Sequence, residues 1–335
     1  MNAATNQSIQ NLISIVKDYQ RVLFNEDHVK RWLRQFDQED HDLILNELSV
    51  ILKKTYLSKA KETDFLTKIC TSLIKFKENE QKEFKFLDIQ TSGGSQKHLL
   101  KRLDEVIKEN SNYSLSNLEA SFQIQSYIYL DDAIYTGNKV IRDIQSWSEG
   151  IDVSSVKKLD IIVYASHEKN LKYIKSELKK TLPNSEIEIA RVLEFNNNNG
   201  QECYSLSKGA NLSDKGMAYV EDVVSLRSDR QEMYYPLLRN ETQNYNETYF
   251  SSYENRKRIE LIFFEKGLEI ISSPSVREQF RPFGYDYQKS LGFGSYLINY
   301  RNIANNCPPI FWWGDLEGHK EINNWYPLFP RKANN

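Results

Sequence analysis

Cysteine is scarce in this chain: three thiols, Cys70, Cys203 and Cys307, stand far apart in 335 residues, with no CxxC or CxxH pair. That excludes a disulfide framework and a Cys/His zinc site as organising devices. Net charge is nearly absent as well. The 44 Lys and Arg against 46 Asp and Glu leave −2, which excludes a globally basic nucleic-acid binder while leaving room for a local basic groove. No run approaches the ~18 apolar residues that a membrane helix requires. The first residues lack a basic stretch followed by an apolar one, so no secretory signal is expected and the chain is read as cytoplasmic. Glycine and proline are missing from residues 1–80 altogether, so nothing there interrupts a helix. What is present is enough to fold: 12% aromatic residues argue for packed cores rather than disorder. At roughly 150 residues per domain, the length suggests about two domains.

Residues 1–80 read as an all-helical segment. Ile9, Leu12, Ile13, Val16, Tyr19 and Leu23 form one stripe at three- and four-residue spacings. Val29, Trp32, Leu33 and Phe36 form a second. Ile44, Leu45, Leu48, Ile51 and Leu52 follow an Asp37 N-cap, and Phe65, Ile69, Cys70, Leu73 and Ile74 form a fourth. These stripes speak of packing, not chemistry.

Residues 81–195 alternate between periods. Phe84 and Phe86 suggest a strand before the turn residues Ser92, Gly93, Gly94 and Ser95, and Leu99, Leu103 and Val106 return to helical spacing. Residues 127–130 then make a strand, 131–137 a loop, and Val140, Ile141, Ile144 and Trp147 a helix. Residues 159–165, a helix through Leu171, Ile174 and Leu178, and residues 186–193 repeat the alternation. Such spacing implies right-handed βαβ crossovers and a parallel sheet, so the fold class is α/β with an N-terminal helical addition. Residues 196–335 begin with an Asn-rich break and carry a weaker signal. A helix is expected around 254–266 with Gly267 as its terminator, and strands at 291–298 and 309–313. This third either completes the sheet or builds a hood.

The sharpest feature is Tyr127-Ile128-Tyr129-Leu130-Asp131-Asp132-Ala133-Ile134-Tyr135-Thr136-Gly137. An apolar strand delivers two adjacent carboxylates to its C-terminal end, and a short loop leads into a helix. The crevice beyond the carboxyl ends of strands is where open α/β sheets bind ligands. A helix start offers unpaired N–H groups and a positive dipole end for a phosphate. Gly137 allows close backbone approach, Thr136 adds a hydroxyl, and the carboxylates can accept from a sugar diol. Ser92, Gly93, Gly94 and Ser95 lie between another strand and helix, where successive N–H groups form an anion nest.

The first motif resembles the 5-phosphoribosyl-1-pyrophosphate (PRPP) signature of type I phosphoribosyltransferases. The resemblance implies that Asp131 and Asp132 hold the ribose hydroxyls and that Ala133, Ile134, Tyr135, Thr136, Gly137, Asn138 and Lys139 wrap the 5′-phosphate. It also implies that Ser92, Gly93, Gly94 and Ser95 form the pyrophosphate loop, with Mg²⁺ arriving on the pyrophosphate and needing no dedicated protein ligands. Family members carry Thr or Ser two residues after the glycine; here Lys139 stands there, a point charge rather than a hydroxyl. The hairpin that normally follows the pyrophosphate loop is shortened, leaving only residues 110–125 before the acid strand. Adding Trp32-Leu33-Arg34-Gln35-Phe36 and Trp325-Tyr326-Pro327-Leu328-Phe329-Pro330-Arg331, most of the chain resembles the phosphoribosyltransferase-like effectors of bacterial conflict systems. Those occur in antiphage loci, including some retrons, beside a winged helix-turn-helix protein. The implied function is PRPP-dependent pentosyl transfer; a catalytically silent sensor of PRPP or a nucleotide, acting through a protein partner, is the alternative. No general base is evident in the sequence. Specific DNA binding by this chain alone is not expected, because no basic patch dominates.

Among other candidates, residues 253–260 read as a solvated charged helix face, with Arg256 and Glu260 an i,i+4 pair. Ser166 and His167, at the end of a strand, are candidates to line the crevice. His28, His41 and His319 have no motif partners, and Cys307 has no His/Asp constellation around it.

Overall fold

A computed structural model describes residues 3–78, 84–91, 94–120, 124–195, 203–240, 247–317 and 324–332. The chain opens with α1 (Ala3–Val16), α2 (Glu26–Leu33), α3 (His41–Thr55) and the two-residue strand β1 (Tyr56–Leu57). It continues through α4 (Lys59–Glu78), β2 (Phe84–Phe86), α5 (Ser95–Asn110), α6 (Leu115–Leu118), β3 (Ser126–Ile134), α7 (Asn138–Ser148), β4 (Lys158–His167), α8 (Glu168–Thr181) and β5 (Glu186–Phe195). The last third adds α9 (Asp214–Ser225), α10 (Asp229–Tyr234), α11 (Tyr253–Ile271) and four short strands, β6 (Phe280–Arg281), β7 (Gly284–Tyr285), β8 (Ile298–Asn299) and β9 (Asn302–Ile303). Among the described residues no helix is long and apolar enough to cross a membrane.

Two units emerge. Residues 59–196 form an α/β unit; residues 1–58 and 197–333 form a discontinuous one. The boundary expected at residue 80 therefore falls before α4. That helix joins the sheet because Phe65 packs edge-on against Tyr164 of β4, and Glu62 draws in His98 and Arg102 of α5.

In the α/β unit the described strands run parallel in the order β2-β3-β4-β5. Leu159, Ile161 and Val163 of β4 are fully buried against Ile144 of α7 and Ile174 and Leu178 of α8. At about 1.5–3 kcal/mol for each side chain removed from water, this face is the main stabiliser of the layer. Strand alternation turns Tyr164 to the opposite face, where α4 meets it. The parallel register sets Asp131 beside Val163 and Ile134 beside Ser166, which delivers the acid motif to the carboxyl end of the sheet.

The discontinuous unit has its own core. Trp32, Val29 and Leu33 of α2, Ile44 and Leu48 of α3, Phe263 and Phe264 of α11, and Leu328 and Phe329 of the tail are all buried in it. Its short strands pair separately, β1 parallel to β8, β8 antiparallel to β9, and β6 antiparallel to β7. None of the described residues of the C-terminal third joins the four-stranded sheet. The strand expected at 291–298 is reduced to the pair beginning at Ile298, and 309–313 begins instead as a 3-10 turn over Pro309–Phe311, where Pro309 cannot donate to a ladder. Gly267 does not end its helix: α11 runs to Ile271. A Cβ at Gly267 would sit 2.5 Å from the carbonyl oxygen of Pro282, so the glycine serves a close approach of backbones rather than a cap.

The aromatic stripes of the N-terminal segment and the tail are used internally. Trp32 Nε1 donates to the carbonyl of Ile310 (2.9 Å), and Tyr19 donates to the carbonyl of Pro330 (2.8 Å). His28 is held neutral by burial; its Nε2 donates to Leu328 O and its Nδ1 accepts from Tyr326, both at 2.7 Å. Of the helical face expected to be solvated, Glu254 and Arg258 are exposed, but the i,i+4 pair is not: Arg256 and Glu260 are both 0% exposed. Arg256 binds Glu247 and Glu260, and Glu260 also pairs with Arg239 at 2.6 Å. Two guanidiniums against two carboxylates leave no net charge within this network.

Candidate functional site

The acid motif is built by β3 and the start of α7. Tyr129, Asp131 and Ala133 share one face of β3 by alternation. Asp131 is 4% exposed, while Asp132 and residues 133, 135 and 136 are half-buried. The Asp132 N–H donates to Asp131 Oδ1 at 2.8 Å, and Lys139 Nζ stands 4.0 Å from Asp131 Oδ2. Lys139, the departure from the family pattern, thus faces the first acid while its own side chain stays 38% exposed. Burial, then the neighbouring charge of Asp132, raise the Asp131 carboxyl to about 6; Lys139, the Ser95 hydroxyl and the Asp132 N–H pull the other way.

The turn into α7 is set by Gly137, whose φ of +84° is left-handed and whose Cβ position would lie 2.2 Å from Cγ1 of Ile174. Only glycine fits both demands. Asn170 Nδ2 holds the carbonyl of Tyr135 at 2.6 Å, fixing the loop against α8. Thr136 Oγ1 accepts from the Asn138 N–H at 3.4 Å. Gly137, at the N-cap, has no side chain to cap α7, and Thr136 takes only the first N–H, which leaves the rest of a positive helix end beside the two acids.

Of the second loop, Ser92 and Gly93 lie outside the described residues. Gly94 takes φ +67° immediately before α5, and Ser95 is the first residue of that helix. The two loops are joined by a residue that motif reading passed over, Gln90. Its amide nitrogen donates to Asp131 Oδ2 (2.6 Å) and to the Tyr129 hydroxyl (2.8 Å). Its amide oxygen accepts from Ser95 Oγ and the Gln96 N–H, each at 3.1 Å. The Tyr129 hydroxyl in turn donates to Asp143 of α7 at 2.7 Å. Burial, then the Asp131 charge, raise the Tyr129 phenol far out of its working range, so it acts as a fixed hydrogen-bonding group. Tyr129 carried one signal, its position two residues before Asp131 on the same strand; Gln90 carried none.

Other candidates are resolved by burial. Ser166 and His167 are both 0% exposed, so neither presents surface to the crevice. Burial, then Lys169, lower the His167 imidazole to about 4, which keeps it neutral. Burial likewise pushes the Cys307 thiol up to about 12, and its Sγ donates to Leu297 O at 3.3 Å; it is an inert packing group. His41 Nε2 meets the carbonyl of Phe36 at 3.2 Å, and His319 lies outside the described residues. The discontinuous unit has a cleft of about 560 Å³ including its open mouth, walled by Tyr204, Tyr235, Phe283 and Tyr287. Its charged wall residue, Arg239, is committed to Glu260, which leaves the acid motif at the end of β3 as the candidate site.

A parallel sheet that delivers paired carboxylates through a glycine turn to a helix start defines a phosphoribosyltransferase-like α/β protein. The model of the PRTase-CE family matches residues 29–331, and the chain belongs to that family. No curated protein matches it.

Proposed function

We propose that the carboxyl end of β3 binds PRPP or a related ribose phosphate and that the chain transfers or senses that pentosyl group. The observation that carries this reading is the junction at 131–139: two adjacent carboxylates, a left-handed Gly137 and a helix start whose N-cap is that glycine. In this reading Asp131 and Asp132 accept from the ribose hydroxyls. The first N–H groups of α7 and Lys139 take the 5′-phosphate, and the start of α5 takes the pyrophosphate. Mg²⁺ comes with the ligand: the two carboxylates are hard oxygen donors of the kind it accepts, and a metal already chelated by pyrophosphate needs few protein ligands. Bound there, it would neutralise charge on the departing pyrophosphate. Isothermal titration with PRPP and Mg²⁺ tests the reading. Binding is expected, with a loss of about a hundredfold in the Asp131→Asn, Asp132→Asn double variant; no heat at millimolar PRPP in the wild type would overturn it.

One observation favours the second, non-catalytic reading. Between α5 and β3 the described residues form only the four-residue α6, too little to cover a reacting carbon and exclude water. Pyrophosphate release with an acceptor supplied distinguishes transfer from sensing. The resemblance to conflict-system effectors supports an antiphage role exercised with a protein partner, such as a winged helix-turn-helix protein. The near-zero net charge supports leaving DNA contact to that partner. Co-purification with neighbouring gene products, beside a salt titration of DNA binding by the isolated chain, checks this; tight, salt-sensitive binding by the chain alone would contradict it.

A further inference from the structure

One side chain spends both of its ends on groups that a ribose phosphate would need. The Gln90 amide nitrogen donates to Asp131 Oδ2 at 2.6 Å, while its amide oxygen accepts from Ser95 Oγ and the Gln96 N–H at 3.1 Å. Neighbours fix which end is which, because a backbone N–H only donates and a carboxylate only accepts. The backbone beneath is clamped in return: Gln96 Oε1 takes the N–H groups of Ile89 (2.7 Å) and Gln90 (3.2 Å). Gln90 therefore shows a donor where a sugar hydroxyl would stand and an acceptor where a phosphate oxygen would stand.

Both positions are closed while Gln90 holds them. Asp131 is 4% exposed, its Oδ1 is taken by the Asp132 N–H, and its Oδ2 by Gln90 with Lys139 beyond. The Gln96 N–H belongs to the first turn of α5, where N–H groups have no partner within the helix and are the donors an anion uses. Gln96 Nε2 is fully buried and without a hydrogen-bond partner among the described residues, so this junction still holds a donor awaiting an acceptor.

Resting on the ribose-phosphate reading of this site, we propose that the Gln90 amide is an internal placeholder that the ligand displaces, linking the pyrophosphate loop to the ribose acid until both are taken over. Without ligand, the amide spares a buried carboxylate and a buried N–H the cost of being unsatisfied. With ligand, the same hydrogen bonds are competitors. Stability of the free protein and affinity for the ligand then move in opposite directions when Gln90 is removed, whereas a merely structural residue would lower both.

The test uses the full chain, with PRPP and Mg²⁺ as probe, in calorimetric titration and thermal melting. Gln90→Ala clears the position, and Gln90→Met keeps the length without the hydrogen bonds, so the measurement survives if the alanine variant folds poorly. The expected result is a lower melting temperature for the free protein together with PRPP binding about tenfold tighter than wild type, the scale of one competing hydrogen bond removed. Wild-type binding with equal or weaker binding in the variants overturns the placeholder alone. No binding by wild type or variants at millimolar PRPP overturns the reading of the site, and the placeholder with it.

Discussion

The two units use charged side chains in opposite ways. In the discontinuous unit, Arg239, Arg256, Glu247 and Glu260 close on one another in the interior, every charge balanced and every carboxylate answered. In the α/β unit, Asp131 is buried beside a second carboxylate, and the cation that faces it is a partly exposed lysine, which leaves its carboxyl raised to about 6. A balanced network specifies packing; an unbalanced one holds unfavourable energy that a ligand can relieve. Charge count would not distinguish them, since each centres on adjacent acidic and basic residues. Balance and position do: one lies within a core, the other at the carboxyl end of a parallel sheet.

The largest effect that would break this contrast lies in the discontinuous unit. Glu260→Gln removes the carboxylate that pairs buried Arg239 and leaves Arg256 with Glu247 alone, and it is expected to cost about 3–5 kcal/mol in urea or thermal unfolding. A loss under about 1 kcal/mol would mean that the network is not structural. Next is Gly137→Ala in the α/β unit. A side chain there is strained at φ +84° and meets Cγ1 of Ile174 at 2.2 Å, so a loss of about 2–4 kcal/mol is expected together with loss of PRPP binding. Unchanged binding would detach the turn from the phosphate.

The third expectation concerns pH. The folded Asp131 carboxyl, at about 6, lies above its ordinary value of 3.8. Between those values the folded state binds the proton more tightly, so its contribution to stability is fully present below about 3.8 and is lost as pH rises through about 6. The loss is on the order of 3 kcal/mol by linkage. Urea unfolding at pH 4 and pH 7 should show this slope in wild type and a flatter one in Asp131→Asn. In the proposed ribose-binding role the ionised form is the acceptor, so PRPP affinity should rise over the same window. Parallel slopes in the two proteins would show that Asp131 is not the strained group.

What the sequence disclosed follows the same division. The order strand–acid–turn–helix over 127–148 is legible because each step is local: an apolar strand, two acids, a glycine that must be left-handed, and a helical stripe. The loop expected to begin at Asp131 begins only after Ile134, because pairing with β4 carries β3 through both acids. Alternation of strand and helix gave the parallel sheet for the same reason. The Arg256–Glu260 pair reads as solvated in sequence, since an i,i+4 ion pair looks the same on a surface as in a core until Arg239 and Glu247 close over it. Gln90 was illegible because its role depends on β3 and α5 converging across the sheet. Gly267 reads as a helix end in sequence because its packing partner, Pro282, is fifteen residues away. The two-residue strands β1 and β8 leave no periodicity to read at all.

Amide hydrogen exchange of the full chain, with and without PRPP and Mg²⁺, compares the two regions in one experiment. The account predicts slowed exchange confined to peptides covering 87–100 and 131–145, with residues 203–240 and 253–294 unchanged. Protection in the latter segments without any at 131–145 would place the ligand in the wrong unit and contradict the assignment.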